Sequence, residues 1–298
     1  MRASWDDLRI FLSVARGGSL SAAGAGLGMD PATVGRRIAR LEEALTAPLF
    51  VKSPQGYALS GAGERLLSHA QAAEQAALAA EDAVRGQGER LSGVIRVGAP
   101  DGCANFLLPQ VLSRIGAAHP ELELQIVALP RVFNLNRREA DMAIGVSAPT
   151  AGRVTVQKIA DYRLHLAASR AYLDHAPPLA TLDDVKNHRI IGYIPDMIFD
   201  KELDYLSEIG VSRVDLASNS VSVQFNWARQ GAGLAMVHGF AMPAGPELIP
   251  VLPRDSTLTR SFWLIRHADD RRVHRMSRIA ALMVGEIRAE LERLEGAA

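Results

Sequence analysis

A change of periodicity at Gly93 constrains this chain more than any other feature of its sequence. Before Gly93, apolar residues recur at helical spacing, interrupted only by one short stretch that alternates around a Pro/Gly turn. After it, short apolar runs alternate with helical stripes, the pattern of an α/β fold with a mostly parallel sheet. The two patterns belong to different domains, and 298 residues suffice for two or three domains at roughly 100–200 residues each. Hydrophobic residues make up 48%, too many for a disordered chain, so each part can bury a core.

In the first part, Ser4 followed by Asp7 matches a capping box, and Leu8, Phe11, Leu12 and Ala15 form the stripe of a short helix that ends at Gly17-Gly18. Ser19 caps a second, shorter helix with Leu20, Ala23 and Leu27 inward, where Ala22, Ala23 and Ala25 leave room for another helix. Gly28-Met29 makes a turn, and Asp30-Pro31 opens a third helix, Asp as N-cap and Pro in the first turn. Val34, Ile38, Leu41 and Leu45 face one side of it; Thr33, Arg36, Arg37 and Arg40 face the other. Two short helices joined by a tight turn, the second with three arginines outward, form a helix-turn-helix whose second helix suits a DNA major groove. A solvated basic helix face gives the same local pattern. The following residues favour the helix-turn-helix: 49–52 and 57–59 are apolar-alternating runs around Ser53-Pro54-Gln55-Gly56, a hairpin placed as a wing. Lys52 and Ser53 on it are candidate phosphate contacts. Ser19, Ser21, Pro31, Ala32, Thr33 and Gly35 join Arg36, Arg37 and Arg40 as candidate DNA contacts. Gly35 costs the helix about 1 kcal/mol relative to Ala, and close backbone approach to DNA is a reason to keep it.

Residues 11–59 resemble the winged helix-turn-helix of the LysR-type transcriptional regulators. The resemblance rests on Gly18-Ser19, Ala22-Ala23, Arg36-Arg37-Ile38-Ala39-Arg40-Leu41-Glu42, Leu49-Phe50 and Leu59-Ser60 with Gly63, in order and at the family's spacing. The start of the third helix departs from it. Asp30-Pro31-Ala32-Thr33 stands where the family often has Ser-Gln-Pro-Ala, and Gly35 replaces a common Ser. These changes bear on base preference rather than on fold.

Ser60 opens a further helix, and residues 64–87 are rich in Ala, Glu and Gln without proline. Its stripe of Leu67, Ala70, Ala73, Ala77, Leu78 and Val84 spans about 30 Å or more and is too thin to bury alone, so it calls for a partner helix or, alternatively, for packing on the C-terminal domain. The resemblance implies a linker helix that pairs with its counterpart. Expected boundaries are residues 1–60 for the winged domain, 61–90 for the linker and 91–298 for an effector-binding domain.

That last region reads as strands at 94–98, 123–129, 142–146, 164–168, 189–193, 234–237 and 262–266, with helices at 105–118, 221–230 and 273–294. It also resembles the family's effector domain through Gly93-x-Ile95-Arg96-x-Gly98, Leu108-Pro109, His119-Pro120, Ala140-Asp141-Met142-Ala143-Ile144 and Gly231-Ala232-Gly233-Leu234-Ala235. The implied fold is α/β and two-lobed, like periplasmic solute-binding proteins, with lobe 1 at 91–161 and 267–298 and lobe 2 at 162–266.

In open α/β sheets, ligands sit beyond the C-terminal ends of the strands, near helix N-termini. The candidate effector residues are therefore Pro100, Asp101, Gly102 and Cys103 after the first strand, Ala128 and Arg131 after the second, Tyr193 and Pro195 in the second lobe, and Asn219 and Ser220 before its long helix. Many relatives place Ser or Thr where this chain has Asp101. A carboxylate there either caps its own helix or disfavours an anionic ligand in favour of one that donates a hydrogen bond. Cys103 is the only cysteine, whereas peroxide-sensing members of the family use a pair; a small buried residue is the better reading. The eight histidines have no spacing suited to a metal, and no cofactor is expected.

Formal net charge is zero, which argues against coating nucleic acid through bulk charge. Residues 1–60 carry seven basic and five acidic side chains, so any attraction to DNA is local to the third helix. Asp6 and Asp7 stand where a signal peptide needs positive charge, and the uncharged stretch 230–246 is short and broken by Gly and Pro; a soluble, cytoplasmic protein is expected. Neither a nucleophile elbow nor a phosphate-cradling Gly loop supports an enzyme. A ligand-binding protein without DNA binding is the alternative, and the winged head opposes it. The resemblance implies double-stranded promoter or operator DNA and a small-molecule effector as partners, a homodimer or homotetramer, contact with RNA polymerase, and no membrane.

Overall fold

The structure, a computed structural model, describes residues 4–53, 56–84, 91–128, 140–150, 152–268 and 274–296. The chain divides at residue 89 into two compact units.

The first unit begins with α1 (Trp5–Gly17), α2 (Leu20–Leu27) and α3 (Pro31–Leu45). Each starts where a short polar side chain accepts a free amide of the first turn: Ser4 from Asp7, Ser19 from Ala22, Asp30 from Thr33. Gly18, in the left-handed region at φ 64°, ends α1. β1 (Phe50–Ser53) and β2 (Gly56–Leu59) pair antiparallel as the wing. Phe11, Leu12, Val14, Val34, Ile38, Leu41 and Leu49 are buried together, and the Phe11 and Phe50 rings lie 5.3 Å apart. Each such side chain contributes about 1.5–3 kcal/mol of burial. Two details differ from the periodicity: Ile10 and Val14 also lie in the core, while Leu45, expected inward, is exposed.

Next comes α4 (Gly61–Val84). The Ser60 hydroxyl accepts the Gly63 amide at 3.0 Å and so caps it. Ala62, Leu66, Leu67 and Ala70 pack into the winged-domain core, and Glu74 takes an ion pair from Arg16 of α1. The front of the alanine stripe is thus used by the head itself.

The second unit carries a nine-stranded sheet. One end is parallel: β3 (Gly93–Ala99) lies between β4 (Leu122–Ala128) and β5 (Met142–Gly145). Two helices, α5 (Asp101–Phe106) and α6 (Leu108–Ala118), replace the single helix expected from residue 105. Pro109 explains the break, because it has no amide to donate back to residue 105. The middle of the sheet is antiparallel. β6 (Val154–Ser169) runs for 16 residues, and β11 (Leu258–His267) pairs with it over ten register positions. Between Phe262 and Trp263 the register slips, leaving Ile159 without an opposite residue; Arg288 Nε bonds its carbonyl at 2.6 Å.

The far end starts with the short α7 (Arg170–Leu173). β7 (Ile190–Gly192), α8 (Tyr205–Glu208), β8 (Leu216–Ala217), α9 (Val221–Arg229), β9 (Leu234–His238) and β10 (Leu248–Pro250) follow in chain order. Here β9, β7 and β8 are parallel neighbours, β9 pairs antiparallel with β6, and β10 also adds to β6. The sheet is therefore parallel only in its two outer thirds. α10 (His274–Gly296) closes the unit. Its Glu290 is 1% exposed and is held by Arg114 of α6 at 2.8 Å and by Arg293 at 2.6 Å, so the buried charge is answered twice.

Candidate DNA-reading head and ligand cleft

In the head, Asp7 organises the arginines of α3. It is 3% exposed and receives Ser4 Oγ at 2.7 Å and Arg40 Nη2 at 2.6 Å. Arg37 Nε stands 2.9 Å from the same carboxylate as an ion pair, and Arg37 Nη2 lies 3.6 Å from Asp6. Burial pushes the Asp7 carboxyl up, but the Ser4 hydroxyl and the two guanidiniums outweigh it and hold the pKa below its usual value. The expectation of three outward arginines is thereby corrected. Arg37 and Arg40 turn toward α1, while Arg36 is exposed and donates to Thr33 Oγ1 at 2.8 Å. The remaining donors of the Arg36 fork stay available at the start of the helix.

Pro31 and Ala32 are exposed in the first turn of α3, as is Ser21 on α2; Thr33 is half-buried. Ser19 is committed to capping α2. At Gly35 a Cβ would stand 3.2 Å from Leu20 Cδ1, so the missing side chain also makes room for α2. Lys52 is exposed, with its Nζ 5.7 Å from the Tyr57 ring centroid. Ser53 ends β1, and its side chain lies outside the described residues. Sequence reasoning missed Asp7 as the arginine partner, since it lies thirty residues before Arg37 with no local pattern to join them.

In the second unit the candidates separate into two groups. Asp101 leads α5, whose N-cap is Pro100 without a side-chain bond, so Asp101 does not cap its own helix. It reaches α9 instead: its Oδ2 accepts Ser220 Oγ at 3.0 Å, the Ser222 amide at 2.9 Å and Ser222 Oγ at 3.1 Å. Its Oδ1 accepts Asn105 Nδ2 at 3.1 Å. Ser220 is the N-cap of α9. Asn219 is half-buried beside it. Gly102 permits this closeness; a Cβ there would lie 3.1 Å from His238 Cε1 and 3.3 Å from Val221 Cγ1. Cys103 is 1% exposed, and burial raises its thiol far above the ordinary range, which suits a core residue rather than a redox switch. Ser222, not singled out from sequence, supplies two of the donors.

Tyr193 and Pro195 line a separate cavity of about 580 Å³ in the far end of the sheet, with Phe199, Tyr205, Leu206 and Gln224. Burial, the neighbouring Tyr205 and the charge of Asp101 together raise the Tyr193 phenol well above its usual pKa. Ala128 is an exposed residue at the end of β4, and Arg131 lies outside the described residues. Among the described residues no group of His, Cys, Asp and Glu could hold a metal ion, and no helix is long and apolar enough to cross a membrane.

A winged helix-turn-helix followed by a two-ended α/β ligand domain defines a class: regulators that couple DNA binding to a small molecule. Residues 5–64 match the family described as "Bacterial regulatory helix-turn-helix protein, lysR family", and residues 88–287 match "LysR substrate binding domain". The chain belongs to the LysR family of transcriptional regulators. It is 26% identical over 250 residues to the HTH-type transcriptional activator TtdR of Escherichia coli K12, covering 79% of this chain and 78% of that one. It is 29% identical over 255 residues to the transcriptional regulator DgdR of Burkholderia cepacia, covering 84% and 82%. Among solved structures, a full-length OxyR variant from Pseudomonas aeruginosa superposes with a TM-score of 0.73 at 15% identity, over 97% of this chain and 95% of that one. CrgA from Neisseria meningitidis gives 0.59 at 22%, over 96% and 99%. These relatives are regulators rather than enzymes, and this chain binds DNA and a small-molecule effector as the family does.

Proposed function

We propose that residues 1–60 form the reading head, 61–90 the linker and 91–298 the effector domain. Its lobes are 91–161 with 267–298, and 162–266. The observation that carries the DNA assignment is the exposed face of the first two turns of α3, where Pro31, Ala32 and Arg36 stand clear of the core. Arg36 is the base or phosphate reader, Arg37 and Arg40 are held at the flank by Asp7, and Lys52 on the wing meets the backbone. The protein acts in the cytoplasm as a homodimer or homotetramer, so that two heads meet a two-fold promoter or operator. β4 is an edge strand whose outer backbone groups are unpaired in the sheet, which supports self-association. The effector enters between the lobes, around residues 100–103 and 218–222, and changes their closure, hence the spacing of the heads and any contact with RNA polymerase.

A gel shift on the protein's own upstream region tests this, since regulators of this family commonly act on their own or a neighbouring promoter. We expect a complex that weakens steeply with salt. Absence of any such complex there and on neighbouring promoters would overturn the assignment.

A further inference from the structure

Asp101 begins a helix at one end of the sheet and spends its charge on a helix at the other. Three donors converge on one carboxylate oxygen: two serine hydroxyls and the Ser222 amide, at 2.9–3.1 Å. The N-terminus of α9, with its free amides and the positive end of its dipole, is a place where a free carboxylate would bind. Here the carboxylate arrives on the chain itself.

One further contact supports reading this as a closure between the proposed lobes. Ser147, which follows β5 at the near end, hydrogen-bonds Asp200 at the far end, so a carboxylate from each lobe reaches the other. Beside the first contact, His238 is 4% exposed, lies against Gly102, and has no hydrogen-bond partner for Nδ1 among the described residues. Burial lowers its pKa to about 4, against the opposing pull of Asp101, so it is neutral at pH 7. The charge of Asp101 is therefore answered by the donors of α9 and not by a histidine cation.

We propose that Asp101 is a tethered ligand, a carboxylate built into the chain that fills the anion position at α9, holds the lobes together without an effector, and excludes free carboxylates from that position. Its bearing on effector choice rests on the cleft assignment above; the tethering itself does not.

The test uses the full chain and sodium acetate, compared with sodium chloride at equal ionic strength. Removing the side chain in Asp101→Gly should lower the melting temperature, and acetate at tens of millimolar should restore about 3 °C or more. The unaltered chain should move by less than about 1 °C under the same conditions. Asp101→Ser gives the same readout should Asp101→Gly not be recovered folded. Adding Ser220→Ala and Ser222→Ala to Asp101→Gly should abolish the recovery in acetate, which places the anion at α9. The proposal is overturned if acetate stabilises the unaltered chain as much as the variants, or gives the variants nothing beyond chloride. Failure of the cleft assignment looks different: acetate then restores stability while operator affinity is the same in the presence and absence of the Asp101 carboxylate.

Discussion

Asp7 and Asp101 share a habit: each sits in the first turn of its own helix and serves another. Asp7 keeps its bond to the cap residue Ser4 and also holds Arg37 and Arg40, which fixes two long side chains that would otherwise sweep the surface. Replacing it by Asn should cost about 1–2 kcal/mol, because the partly exposed guanidiniums left behind can be hydrated, and should also weaken operator binding because both guanidiniums are freed. The pH dependence has a definite sign. A carboxyl whose folded pKa is depressed gives stability that is present above its unfolded pKa, about 3.9, and is lost as pH falls through the folded value. Acid titrations of melting temperature should therefore show a steeper loss below about pH 4 for the parent than for Asp7→Asn; parallel curves would contradict the role. Arg36→Ala should leave the melting temperature within about 1 °C but reduce operator affinity about tenfold or more, and lower the salt slope by about one if the contact is to phosphate. Unchanged affinity in a gel-shift titration would remove Arg36 from the interface.

At the level of elements, what the sequence showed well is what depends on near neighbours. The starts of α1, α2, α3 and α4 follow from Ser4, Ser19, Asp30 and Ser60, because a cap needs only the next three residues. The hairpin of β1 and β2 is legible for the same reason. Long-range geometry hides the rest. Only residues 164–168 of β6 read as strand, since Lys158, Asp161 and Arg163 interrupt the apolar pattern where one side faces solvent. Asp101 stood out by its position, but its partners lie 119 and 121 residues away, beyond any local pattern. Gly35 has an element-level reason to be small as well as a functional one. Its neighbour is a flexible leucine tip at 3.2 Å, and Ala gains about 1 kcal/mol of helix preference, so Gly35→Ala should fold with little change and keep operator affinity. Gly35→Leu should force α2 and α3 apart and lower stability by about 1–3 kcal/mol, measurable by urea unfolding. Loss of DNA binding in Gly35→Ala with unchanged stability would make close approach to DNA the deciding reason.

Across the whole molecule, a formal charge of zero is compatible with DNA binding because the attraction is local: acids on α1 match Arg37 and Arg40, and Arg36 stays exposed on α3. The head presents a narrow basic point rather than a basic field, so non-specific affinity should be modest. The single thiol offers a separate check: Cys103 in the native protein should resist a colorimetric thiol reagent for hours and react at once in denaturant. Rapid native reaction would contradict its burial. Finally, in the proposed two-lobe division both chain crossings run through β6 and β11, which are laced together at ten positions with one slip at Ile159, itself pinned by Arg288. Sliding one strand along the other would break the ladder, while flexing the pair at its irregular point leaves the ladder whole. An effector domain hinged this way would work as a leaf spring and not a drawer: the motion its ladder allows is a change of angle.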